Sequence, residues 1–205
     1  RETQLYFFLI EHGGDYQHYL KAFDRLGDNE LQIIQKNPYE AGKRIGLDLQ
    51  VCDSIFKQQG GKANNSNRVE FGIYWTLLQE ASAGHTFCNK NDLLQKAQRA
   101  LKNHIFPDVV TIPAVLLGLD RATRQDIVKE QKRYYLYRNR EREIQLAAIV
   151  DRLLAEDCKR YKSYDENMAS WVMEKMHCSF AEEQQTAFSL LSSPGIKMLI
   201  GSPGT

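Results

Sequence analysis

The glycines of Gly201-Ser202-Pro203-Gly204-Thr205 stand where an anion-binding loop would need them. These five residues read as the opening of the eight-residue pattern G-x-x-x-x-G-K-[ST], stopping before its lysine. In such a loop, successive backbone N–H groups converge on a phosphate, and glycine permits the required φ/ψ. The following helix adds the positive end of its dipole. Pro203 would stiffen the turn. The residues expected next are Gly-Lys and Ser or Thr, where the lysine meets the β/γ-phosphates of ATP and the hydroxyl holds Mg²⁺. The chain also starts at Arg1 without a methionine, so both ends read as breaks in a longer protein.

Two further sets of residues could do chemistry. Gln184 carries an amide that donates and accepts at once, which suits the N6/N7 edge of adenine. Between Arg121 and Arg142 the sequence holds eight Lys/Arg against three Asp/Glu, leaving the rest of the chain at −4. Lys129, Lys132, Arg133, Arg138, Arg140 and Arg142 could track a phosphate backbone. Tyr134, Tyr135 and Tyr137 are interleaved with them and could stack on bases. The competing reading is a solvated edge with its tyrosines packed inward, and it is the stronger of the two. His85 lies just past a helix stop, where a turn hydrogen bond explains it. No nucleophile triad and no HExxH motif is present.

The elements that must position these residues are mainly helical. Gly13-Gly14-Asp15, Gly27-Asp28-Asn29 and Asn37-Pro38 punctuate short helices up to Gln59, and Ile45-Gly46-Leu47-Asp48-Leu49 centres a second unit. Pairs of short helices joined by a glycine turn describe two helix-hairpin-helix units. Gly60 to Asn67 has linker composition. Val69, Ile73, Leu77 and Ala81 recur every four residues, with Gly84 placed to stop that helix. Asn91 is expected to cap the next, with Leu94, Ala97 and Leu101 on one face. This stretch is compatible with a winged-helix arrangement. Ile105 to Gly118 suggests short strands or an extended connection, and Val128 to Tyr137 a strand or hairpin. A long helix is expected over about 140–159, striped by Ala147, Val150 and Leu154. Ser179-Phe180-Ala181-Glu182 reads as a capping box. Ile196 to Ile200 reads as a buried strand that delivers the chain to Gly201.

The expected organisation is therefore a helix-hairpin-helix domain over 1–59 and a small helical domain over 60–105. A connecting region over 106–178 and the start of an α/β nucleotide-binding domain over 179–205 follow. With 42% hydrophobic and 26% charged residues, the chain has the composition of a folded globular protein. Cys52, Cys88, Cys158 and Cys178 lie far apart without metal-ligand spacing, so reduced, mostly buried thiols and a cytoplasmic location are expected. No apolar run is long enough to span a bilayer.

Several segments, in order, resemble the long-form RecD-type DNA helicases, relatives of RecD and of conjugative TraA helicases. Phe23 to Tyr39 (FDRLGDNELQIIQKNPY) is similar to that family's stretch ending in NPY. Ile45 to Asp53 (IGLDLQVCD) sits where the family has a glycine hairpin. Arg68 to Leu94 (RVEFGIYWTLLQEASAGHTFCNKNDLL) matches most closely. Tyr135-Leu136 with Glu143 and Ala147 follows, and Phe180 to Gln185 (FAEEQQ) resembles the Q motif ahead of the ATP loop. Asp48 replaces a hairpin glycine, and a carboxylate there repels phosphate and reaches φ > 0 less freely.

The resemblance implies the N-terminal part of an ATP-dependent 5′→3′ helicase of superfamily 1. It would act in DNA repair or recombination on single-stranded DNA or a single/double-strand junction. It implies helical domains followed by the first helix and strand of a RecA-like motor, with ATP and Mg²⁺ as cofactors. By the same resemblance, Gln184 reads adenine, and Gly201, Ser202, Pro203, Gly204 and Thr205 open the ATP loop. From a different class, the alternative is a non-catalytic DNA-binding or protein-docking helical module.

Overall fold

The computed structural model describes residues 2–155, 166–190 and 196–201, and it falls into two units, residues 1–140 and 141–205. The first unit opens with five short helices: α1 (Glu2–Glu11), α2 (Tyr16–Leu26), α3 (Glu30–Lys36), α4 (Pro38–Ile45) and α5 (Leu49–Gln58). Each boundary has a local cause. Asp15 and His18 form a reciprocal capping box at the start of α2. Asn37 accepts from the Glu40 amide while Pro38 occupies the first turn of α4, where no N–H is missed. Gly27 and Gly46, both at positive φ, turn the chain between α2 and α3 and between α4 and α5.

Asp48 stands at φ −77°, so its position needs no glycine. Its carboxylate accepts from the Val51 amide and caps α5. The expected backbone conflict is therefore absent. The departure from glycine is explained by capping: this helix N-terminus is occupied by the chain's own anion. Leu5, Leu9, Ile34, Ile45, Leu47 and Ile55 fill the core under these helices.

The rest of the unit comprises α6 (Ser66–Ser82), β1 (Phe87–Asn89), α7 (Lys90–Leu101), α8 (Ile112–Ala122), β2 (Ile127–Glu130) and β3 (Arg133–Leu136). The strands form an antiparallel sheet in the order β1-β3-β2, with Phe87 opposite Tyr135 and Val128 opposite Tyr135 on the other side. Three helices, an early strand and a closing hairpin that pairs with it make a winged helix, spanning 66–136. One core, with Val69, Ile73, Leu93, Leu101, Val115, Leu119 and Leu136, runs through it. The sheet and this core include residues on both sides of 105 and tie them into one module.

Helix α6 serves both cores. Phe71 turns to the first, and Val69, Ile73 and Leu77 to the second.

Three local expectations are also corrected. Residues 112–122 are helical, not extended: Pro113 sits in the first turn of α8, and Val115, Leu119 and Ala122 turn one face of the helix inward. Gly118 lies inside that helix because a Cβ there would come within 2.6 Å of Val69 Cγ1 on α6. The cap position of α7 is Asn89, not Asn91. The linker-like residues are ordered at their end, where Asn65 accepts from the Asn67 and Arg68 amides and starts α6.

The second unit contains most of α9 (Tyr137–Ala155), then α10 (Glu166–Met176) and α11 (Glu182–Ser189). Helix α9 starts earlier than expected and buries none of its residues: Leu154 of the expected stripe is 62% exposed. The capping box expected at Ser179 does not form. The helix starts at Glu182, and the Gln184 side chain accepts from the Ala181 amide. Ile196–Ile200 is not a strand, and Ile200 is 84% exposed. A lone extended segment has no ladder partner among the described residues, and pairing is what stabilises a strand. No helix among the described residues is long and apolar enough to cross a membrane. Cys52 and Cys88 are buried free thiols, whereas Cys178 is exposed; Cys158 lies outside the described residues.

Candidate nucleic-acid interface

The wing is the hairpin β2–β3, and its register decides what each cation can reach. Glu130 pairs with Arg133, leaving Gln131 and Lys132 as the two-residue tip. Gln131 adopts φ +55°, the left-handed first position that such hairpin turns use. Side chains directly opposite one another share a face. Lys129 thus lies on the face of Tyr134 and Cys88, and Arg133 on the face of Asn89 and Glu130.

The tyrosines settle between the two readings of this segment. Tyr134 and Tyr135 are 4% and 2% exposed, so neither offers a ring to a base. Tyr135 packs on Phe87, with ring centroids 5.5 Å apart. Only Tyr137 remains open, at 56% exposure.

Lys129, Lys132, Arg133 and Arg138 are exposed and form no ion pair among the described residues. The Arg133 guanidinium lies 4.7 Å from the Phe87 ring centroid, which orients it without neutralising it. Arg140 is different. Its Nε and Nη2 grip the Glu130 carboxylate, each at 2.9 Å, so it is held as a structural cation. Lys90, next to the Asn89 that pairs with Arg133, adds an exposed positive charge that sequence reasoning missed. Only the strand register brings it there.

Helix α8 occupies the position from which helix-turn-helix proteins read the major groove. Its exposed residues are Pro113, Leu117, Asp120 and Arg121, and Arg124 follows in the turn after it. Arg124 is paired with Asp120 at 2.9 Å, and Arg121 approaches Glu70 at 3.8 Å. That surface offers base edges little, whereas the wing offers phosphates four uncommitted cations.

What holds the two modules of this unit together is a buried charge hub. Asp53 and Arg68 are both 0% exposed. The Arg68 Nε and Nη2 donate to Asp53 Oδ1 and Oδ2 at 2.8 and 2.7 Å. The Tyr39 hydroxyl donates to Oδ1 at 2.9 Å and Asn103 Nδ2 to Oδ2 at 2.6 Å. Arg68 also donates to the carbonyls of Ala63 at 2.8 Å and Leu101 at 2.6 Å, and its guanidinium stacks 4.4 Å from the Phe106 centroid. Among the described residues no buried side-chain polar atom lacks a partner. Tyr39, Asp53 and Arg68 each belong to a segment that carries the helicase resemblance, but their partnership is invisible before folding.

Burial, and then the neighbouring Asp53 charge, push the Tyr39 phenol far above its ordinary range. Burial likewise raises the Cys52 thiol, which donates to the Pro38 carbonyl. Both groups hold their protons more tightly folded than unfolded. Their contribution is complete below the unfolded values and is lost as pH rises past about 9 for the thiol and about 10 for the phenol. The urea midpoint is therefore expected to hold between pH 7 and 9 and to fall above that, less steeply in Tyr39→Phe. A midpoint unchanged to about pH 11 would contradict the burial account.

Of the residues assigned to ATP, Gln184 and Gly201 are described, and Ser202, Pro203, Gly204 and Thr205 lie outside the described residues. Gln184 is exposed, and its carbonyl is engaged by the Ala181 amide of its own helix. Gly201 is exposed at the end of an unpaired segment.

A search of the curated proteins finds no match to the chain. Residues 1–87 match the family model described as the ATP-dependent RecD2 DNA helicase HHH domain, so that part of the chain is similar to a RecD2-type helicase N-terminal region.

Proposed function

We propose that this chain is the DNA-handling N-terminal region of an ATP-dependent 5′→3′ DNA helicase, and that its winged helix grips the phosphate backbone through Lys129, Lys132, Arg133 and Arg138. The observation that carries this reading is a RecD2-type helix-hairpin-helix match running directly into a winged helix with an unneutralised basic wing. The helical region would hold single-stranded DNA or a strand junction while a RecA-like motor translocates. In that motor, Gln184 would read adenine and the loop opening at Gly201 would take the phosphates with Mg²⁺, which supplies charge neutralisation at the transferring phosphoryl group.

Two measurements test this. Labelled single-stranded and duplex oligonucleotides, titrated at about 50 and 200 mM salt, should bind with an affinity that falls steeply with salt. Failure to bind either, or salt-independent binding, would remove the electrostatic basis of the proposal. The 205 residues contain no complete G-x-x-x-x-G-K-[ST] sequence, so they should show no DNA-stimulated ATP hydrolysis.

One observation favours the docking alternative. Phe7, Ile10, Tyr16, Leu20 and Phe23 are exposed on α1 and α2, an apolar surface of the kind that proteins use for partners. Under that reading the chain binds DNA no better than a neutral protein does.

A further inference from the structure

The wing is not the only group of uncommitted cations. We propose that the turn after α5 and the turn after α7 together form a second DNA-backbone contact, built from Lys57, Lys62, Arg99 and Lys102 at the seam between the helix-hairpin-helix and winged-helix modules. This inference rests on the DNA-binding reading above and adds a site to it.

The charge hub creates the surface. One guanidinium, that of Arg68, binds the carbonyls of both Ala63 and Leu101. Lys62 and Lys102, far apart in sequence, each adjoin one of the two residues whose carbonyls this guanidinium brings together. The Lys57 ammonium stands 5.0 Å from the centroid of Phe106, the ring that also stacks on Arg68. Arg99 lies in the last turn of α7, three residues before Lys102, which stands at its C-cap. All four side chains are exposed.

The local charge is unbalanced. No Asp or Glu occurs from Ser54 to Asn67 or from Leu93 to Pro107. Of the acids that flank these two stretches, Asp53 is already neutralised by Arg68. Elsewhere in this unit Lys43, Lys96, Arg124 and Arg140 have carboxylate partners. Among the described residues, these four do not. Gathering four like charges costs repulsion that an anionic ligand would relieve.

The surface is also preformed. Gly61 packs so tightly that a Cβ there would lie 2.2 Å from the Phe56 ring. The Gly61 amide donates to the Phe56 carbonyl, and Asn103 accepts from the amides of Ile105 and Phe106. Both turns are therefore pinned by their own hydrogen bonds.

The geometry points to an extended polyanion rather than an isolated phosphate. The 12 residues of α7 separate this cluster from the wing, since Lys90 beside Arg133 starts the helix and Leu101 ends it. That is about 18 Å at 1.5 Å per residue. It exceeds the Debye length of about 8 Å at physiological salt, so the two clusters do not share one small anion. A nucleic-acid backbone reaches both.

The test compares three forms of the 205-residue chain by fluorescence anisotropy with a labelled oligonucleotide over a salt series: the parent, Lys62→Ala/Lys102→Ala, and Lys129→Ala/Lys132→Ala. Each lost phosphate contact should lower the log–log salt slope by about 0.7 for single strands or about 0.9 for duplex. The seam variant is expected to lose two such steps and to bind on the order of tenfold more weakly at low salt, with an unchanged melting temperature because both side chains are exposed. Seam and parent curves that superimpose while the wing variant weakens would overturn this inference and leave the DNA reading standing. A parent protein that binds no DNA would overturn both.

Discussion

Asp53→Ala is expected to lower the unfolding free energy by about 3–5 kcal/mol, the largest effect of any single substitution in the helix-hairpin-helix module. The reason is what remains after the carboxylate goes. Arg68 keeps its charge at a site with no solvent exposure, and its Nε loses its only acceptor. Tyr39 and Asn103 lose their acceptors as well. Each orphaned buried donor costs about 1–3 kcal/mol. The site lies between the two cores, so its loss should uncouple them as well as weaken them.

Urea unfolding followed by far-UV circular dichroism reads this directly. The informative comparison is Asp53→Leu with Arg68→Met, which removes both charges together. Its cost should be smaller than the sum of the single substitutions by about 0.5–3 kcal/mol, the usual coupling for residues in contact. Strict additivity would mean that the two charges do not stabilise one another, and the hub would then be no more than a set of separate hydrogen bonds.

Removing Lys129, Lys132 and Arg133 together is expected to weaken DNA binding on the order of a hundredfold at about 0.1 M salt, and to remove about three steps from the salt slope. These side chains are exposed and unpaired, so stability should stay within about 0.5 kcal/mol of the parent. Arg140→Ala should behave oppositely. Its charge is already spent on Glu130, so DNA affinity changes little while the base of α9 loses a bidentate pair. If Arg140→Ala proved as damaging to binding as the triple variant, the assignment of Arg140 to structure rather than contact would fail.

Local chemistry made much of the helical framework legible. Glycine at Gly27, Gly46 and Gly84 announces the turns because each adopts positive φ. The four-residue recurrence of Val69, Ile73 and Leu77 announces α6 because all three face one core. Where short-range signals competed, they misled. Ile105 to Gly118 suggests strands or an extended connection, but from Ile112 on the packing of α8 on α6 around Gly118 outweighs β propensity. Ile196 to Ile200 carries a strand pattern, and a strand pattern without a neighbouring strand yields an exposed segment.

The candidate site divides along the same line. Composition located the basic segment, because net charge survives in any conformation. It could not distinguish Arg133 from Arg140, because only the pairing of Glu130 with Arg133 and the start of α9 decide which guanidinium meets a carboxylate. Nor could it say that Tyr134 and Tyr135 turn inward while Tyr137 does not.

The sequence by itself determined most of the helical segments before residue 105, the glycine turns between them and the position of the basic segment. These follow from backbone propensity and charge, which depend on near neighbours in the chain. Only the tertiary structure decided that Tyr39, Asp53, Arg68 and Asn103 meet in one buried hub, and that one guanidinium there gathers the carbonyls of Ala63 and Leu101. Their nearness comes from closing long loops around a shared core, and no spacing within the sequence encodes it.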